Sequence, residues 1–230
     1  MKNINVDKWI IIHAFLMLLI SIYVLCTACM KGALVVVSLS FIALLYLNRS
    51  SFKQFRPYGG YANWVSLIRL LLLLVLLVNN QLLSKDMLAL GFLGCIIMDG
   101  LDGWLARRYQ QVSEWGGLFD KEIDSFLVWG ISLVLYLYWD FANWIIGIGC
   151  LHYCYEVILY LLNWQDIKTP KNPIGRYVAA ILFASLLAPF ILPMKIAWPI
   201  LGFASICIFG SFMVSFILKF RGAINRKSIN

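Results

Sequence analysis

Long apolar runs separated by short polar breaks dominate the chain. Eight runs approach the roughly 20 residues that a helix needs to cross a bilayer core. They lie at about 9–29, 33–48, 64–83, 86–106, 118–138, 141–163, 176–194 and 197–219. None shows the apolar/polar alternation of a membrane barrel. The pattern predicts an all-α integral membrane protein of eight transmembrane helices, the second being the shortest. One longer interruption, residues 48–61, mixes Arg49, Lys53 and Arg56 with Phe52, Phe55 and Tyr58, and reads as an interfacial segment. The first run is longer than the 7–15 residues of a signal-peptide core, so it is read as a span.

Composition agrees. The chain is 62% hydrophobic and only 13% charged, against roughly 25% charged in a soluble domain. Too few charges are available to cover a water-facing surface, which excludes a disordered chain and a conventional soluble enzyme. The net charge of +8 points to orientation rather than to nucleic acid. With eight spans, Lys31, Lys85 and Lys195 fall on one side and the other 16 basic residues on the opposite side. Basic residues stay in the cytoplasm, so both termini are expected there, in a multi-pass protein of the cell (inner) membrane. The six cysteines all lie inside apolar runs. Cys26 and Cys29 form a CxxC, which reads as membrane packing rather than a metal or disulfide site.

The acids change the picture most. Six of the 11 lie between Asp99 and Asp124. A charged residue at mid-membrane costs about 2.5–3.5 kcal/mol on insertion scales, so it is a functional suspect by default. Asp99 and Asp102 are three apart, Asp120 and Asp124 four apart, and each pair shares one face of its helix. A tight turn through Gly116 and Gly117 is expected to bring the two helix ends together, so that four carboxylates face one cleft. Four such anions need cations between them. Oxygen ligands suit Mg²⁺ or Mn²⁺, and four can hold two ions, an arrangement suited to displacement at phosphorus. Gly103 and Ala106 leave the cleft face bare, and Arg107 is a permanent planar cation suited to phosphate.

Written out, these residues form Asp99-x2-Asp102-Gly103-x2-Ala106-Arg107-x8-Gly116-x3-Asp120-x3-Asp124. The pattern resembles the signature of the CDP-alcohol phosphatidyltransferase family, with all eight fixed positions filled. At ordinary residue frequencies that happens by chance on the order of once in 10⁹ starts or less. A second, looser likeness lies upstream in Asn63-x2-Ser66-x2-Arg69, where serine stands for the family's usual threonine, and Ser113 occupies a position where the family favours a hydroxyl. The resemblance covers about residues 50–220. It implies a six-helix catalytic core at 63–220, preceded by a two-helix extension at 1–48 and an interfacial segment at 49–62, and followed by a basic tail at 221–230.

The resemblance also implies chemistry. A phosphatidyl group passes from CDP-diacylglycerol to a small alcohol, and CMP is released. Asp99, Asp102 and Asp120 would hold a first metal ion, and Asp99, Asp120 and Asp124 a second, with Asp124 also the base. Asn63, Ser66, Gly103, Ala106, Arg107 and Ser113 would contact the CDP moiety. Membrane lipid and a homodimer are implied as partners.

The acceptor is less legible. Lys168, Lys171 and Arg176 lie in the loop after the sixth span and are candidate acceptor contacts, which leans toward a polyol phosphate such as glycerol 3-phosphate. Serine, another amino alcohol or a lipid remain alternatives. His152 and Glu156, four apart within the sixth span, are expected to satisfy one another as a structural pair, or else to bind a polar acceptor. His13 is expected to pack or to bond to a neighbouring helix. Two readings of another class, a transporter and an inactive scaffold, are disfavoured. The acids cluster at one membrane face, and no motif carboxylate is lost.

Overall fold

The structure, a computed structural model, describes residues 4–52, 58–139, 141–165, 167 and 173–227. The described residues are helical with no strand: α1 (Ile4–Thr27), α2 (Met30–Leu47), the single turn α3 (Arg49–Phe52), α4 (Tyr61–Val78), α5 (Lys85–Arg108), α6 (Glu114–Trp139), α7 (Trp144–Leu161), α8 (Pro173–Ile191) and α9 (Met194–Lys227). Seven of them are long and apolar enough to cross a bilayer. The apolar part of α8, Tyr177–Ile191, is shorter, but all 19 residues of α8 would reach about 28 Å, close to a full crossing. The protein is therefore a multi-pass membrane protein.

Boundaries differ from the hydropathy reading where polar residues join a helix. The third run ends early, since α4 stops at Val78 and Asn79–Ser84 form the turn. At the far end α9 does not stop with its apolar run. It continues through Arg221 and Arg226 to Lys227, because basic residues are good helix formers once the helix has left the bilayer.

Helix ends are set locally. The Ser84 hydroxyl accepts from Met87 N at 3.3 Å and caps α5. Ser113 Oγ accepts from Gly116 N at 3.0 Å and caps α6. Helix α6 is the central post, with its middle turns buried, including Trp129, Gly130 and Ile131. Close approach depends on missing side chains. A Cβ on Gly149 of α7 would lie 3.2 Å from the Trp129 backbone and 2.9 Å from Ser132 Cβ.

Antiparallel stacking is fixed at the end remote from the acids. Lys85 Nζ sits 4.5 Å over the Trp139 ring, joining the start of α5 to the end of α6. The extension is packed into the bundle, α1 against α7 and α2 against α4. Ser21 of α1 accepts from the indole of Trp129 at 2.8 Å. His13 Nδ1 lies 2.8 Å from Ser40 Oγ of α2, the expected bond between helices. The six cysteines are free.

Candidate active site

Three helices build the site. Helix α4 begins after a turn in which Gly59 and Gly60 have φ of 87° and 78°, a region that glycine enters without steric cost. The turn presents Gly59 O to Asn63 Nδ2 at 2.8 Å. Asn63 Oδ1 then faces Gly116 of α6, where an added Cβ would stand 3.1 Å away. Gln111 Oε1 accepts from Tyr61 N at 2.8 Å and ties the α5–α6 connection to the start of α4.

That connection corrects one expectation. Gly116 and Gly117 do not form the turn. They lie in the first helical turn of α6, and the reversal runs through Tyr109–Ser113, with Gln110 at φ 53°. Helix α6 starts earlier than its hydrophobicity suggests because Ser113 caps it. Asp120 and Asp124 consequently lie well inside the helix.

The four aspartates meet as their spacing predicts, but around a residue that sequence reasoning treated only as part of a loose motif. Arg69 of α4 is fully buried. Its Nη1 lies 2.7 Å from Asp99 Oδ1 and 3.1 Å from Asp124 Oδ1, and its Nη2 lies 3.7 Å from Asp102 Oδ2. The same Nη2 donates a hydrogen bond to Asp120. One guanidinium thus touches four carboxylates on two other helices.

Asp99, Asp120 and Asp124 each offer an oxygen within 4.8 Å of the other two, a spacing that one cation can bridge. Asp124 Oδ1 is buried without a hydrogen bond and lies in ion-pair contact with Arg69 Nη1. These hard oxygens fit Mg²⁺ or Mn²⁺. Asp102 stands apart from that trio. It is buried, and its Oδ2 accepts from Ser66 Oγ at 2.9 Å.

Beside the acids opens a cavity of about 290 Å³. All six residues expected at the CDP moiety line it: Asn63, Ser66, Gly103, Ala106, Arg107 and Ser113, together with Asp102 and Asp120. A Cβ on Gly103 would meet only the Arg107 guanidinium, at 3.5 Å. Gly103 therefore does not serve helix packing. It keeps the cavity wall open. Arg107 is exposed and pairs with no described residue.

A second cavity of about 180 Å³ reaches Asp124, between α6, α7, α8 and α9. Lys121, Asp124, Ser125 and His152 are its polar lining. Here the expected His152–Glu156 pair is corrected. Glu156 accepts from Lys121 Nζ at 2.5 Å, and His152 Nε2 lies 3.4 Å from Glu122 Oε1. Lys168 and Lys171 lie outside the described residues, and Arg176 is in α8, one turn before the lining residue Ala179.

With this geometry established, the sequence was compared with known proteins. The model of the CDP-alcohol phosphatidyltransferase family matches residues 60–217, more than half of the chain. The protein belongs to the CDP-alcohol phosphatidyltransferase family. The matched region runs from the turn before α4 into α9 and so takes in the last six helices, with α1 and α2 outside it. Comparison with curated proteins and with solved structures returned no significant match. Family membership makes the protein a transferase of phospholipid synthesis that uses a CDP-linked alcohol and membrane lipid.

Proposed function

We propose that this protein transfers the phosphatidyl group of CDP-diacylglycerol to a small alcohol, with a polyol phosphate such as glycerol 3-phosphate as the leading acceptor. One observation supports it above the rest. Two cavities of different character reach the same aspartate cup, one at Asp102 and Asp120, the other at Asp124.

The larger cavity takes the CDP end of the donor. Gly103 and Ala106 leave room for the nucleotide against the α5 backbone. Arg107, exposed at the rim, pairs with a phosphate. Asn63, Ser66 and Ser113 offer polar contacts along the opposite wall. A divalent ion held by Asp99, Asp120 and Asp124, with a second drawing on Asp102, would neutralise the pyrophosphate and the departing CMP.

The acceptor enters from the smaller cavity, with its hydroxyl facing Asp124. Asp124 takes the hydroxyl proton. The freed oxygen attacks the phosphorus that bears the diacylglycerol, a new O–P bond forms, and the bond to the CMP oxygen breaks with its electron pair. Arg176 lies in α8 one turn before the lining residue Ala179, and a basic residue at that point of the sequence supports a phosphorylated acceptor. The excess of basic residues at the acid end of the bundle favours a cytoplasmic active site.

The test supplies the purified protein with radiolabelled CDP-diacylglycerol, Mn²⁺ and a panel of soluble alcohols, and identifies the lipid formed. Phosphatidylglycerophosphate with stoichiometric CMP is the expected result, and Asp124→Asn abolishes it. No CMP release with any acceptor would overturn the reading.

A further inference from the structure

The smaller cavity holds three side chains able to donate hydrogen bonds: Lys121, Ser125 and His152. Ser125 is already committed, its hydroxyl donating to Lys121 O at 2.9 Å. The other two are held by a reciprocal exchange between helices. Helix α6 supplies Lys121 and Glu122, and α7 supplies His152 and Glu156. Each glutamate holds the nitrogen donor of the opposite helix, Glu156 at 2.5 Å and Glu122 at 3.4 Å.

Packing alone does not explain this arrangement. A glutamate as buried as Glu122, 2% exposed, is expensive to place. What the exchange achieves is direction. A neutral His152 that turns its Nε2 proton toward Glu122 presents Nδ1 as an acceptor, and Nδ1 has no partner among the described residues. Lys121 has three donor hydrogens, of which Glu156 takes one. Both ends of the exchange face the cavity that touches Asp124.

An acceptor nitrogen beside a donor ammonium matches a hydroxyl, which gives one hydrogen bond and receives another. Asp124 accounts for the hydroxyl that reacts. Lys121 and His152 are therefore available to a second one. The Lys121 charge is balanced by Glu156, so the cavity has no surplus cation to select a carboxylate. We propose that Lys121 and His152 are the acceptor-specificity residues, reading a hydroxyl adjacent to the attacking one, and that Glu122 and Glu156 are positioning residues that orient them. The acceptor is then a polyhydric alcohol, free or phosphorylated away from this end. The proposal rests on the reading of this cavity as the acceptor side.

The experiment measures steady-state kinetics of the full chain with CDP-diacylglycerol, using glycerol 3-phosphate, its analogue lacking the second hydroxyl, and serine as probes. The wild type is expected to prefer glycerol 3-phosphate to both of the others. His152→Phe and Lys121→Met are expected to raise the KM for glycerol 3-phosphate about tenfold or more, the loss of one good hydrogen bond. Donor KM stays within about twofold, and the deoxy analogue loses its disadvantage in the His152 variant. His152→Gln, which keeps an acceptor oxygen, recovers part of the loss and serves where His152→Phe does not fold. Glu122→Gln gives an intermediate acceptor KM. Unchanged acceptor KM in folded variants, a parallel rise in donor KM, or preference for serine overturns the proposal while the transfer reaction stands. A wild type that releases no CMP with any probe removes the parent reading, and this one with it.

Discussion

Arg69 and Asp99 are 30 positions apart in sequence, and the arginine Nη1 donates to the carboxylate at 2.7 Å. The same guanidinium reaches Asp102, Asp120 and Asp124, so it is the one protein cation among the described residues that contacts all four motif acids. Removing it leaves four carboxylates facing one another in one half-buried cleft. Arg69→Met is expected to lower stability by about 3–5 kcal/mol, the usual cost of breaking a buried ion pair. Thermal unfolding in detergent with a chelator present measures this. A wild-type Tm would show that the guanidinium is not what holds the acids together.

Gly103 separates binding from folding. Nothing but the mobile end of Arg107 stands near its missing Cβ, so Gly103→Val keeps the bundle intact and fills the larger cavity. Its Tm should stay within about 1 kcal/mol of wild type, with donor KM raised at least about tenfold. Gly149→Val is the control. Its added atoms run into the α6 backbone, so it is expected to unfold the protein instead. Equal donor affinity in wild type and Gly103→Val would remove the nucleotide from this cavity.

Divalent ions should be required and directly bound. EDTA is expected to abolish CMP release, and Mn²⁺ or Mg²⁺ to restore it. Calorimetric titration of Mn²⁺ should show binding that weakens by about tenfold or more in Asp120→Asn. Asp102→Asn should weaken it less, because Asp102 lies outside the close trio and is held by Ser66. Equal losses in the two variants would contradict that ranking.

Ser21 tests the extension. It accepts from the Trp129 indole at the centre of α6. Ser21→Ala leaves that buried donor unsatisfied and should cost about 1–3 kcal/mol. Ser21→Ala with Trp129→Phe together should recover most of it, since both polar partners are then gone. A double variant no more stable than the single would assign the loss to packing.

The run lengths made the membrane class legible, and two carboxylate pairs at helical spacing made a shared acidic face legible. Arg69 escaped because periodicity places a residue on a face without saying what the face meets. As a basic residue near a membrane surface it also resembled an orientation signal. The His152–Glu156 pairing failed for a related reason. Spacing puts both on one side of α7, but Lys121 and Glu122 of α6 compete for them, and helix-to-helix register is not written in either segment. The α5–α6 turn was misplaced because two glycines outweighed a single serine, although Ser113 followed by Gly116 and the apolar run is itself a helix start.

The chain reverses between α1 and α2 through two residues, Ala28 and Cys29, and between α8 and α9 through Leu192 and Pro193. Such hairpins barely clear the lipid headgroups. At these two corners the surface opposite the aspartates offers little for a soluble protein, a protease or an antibody to grip.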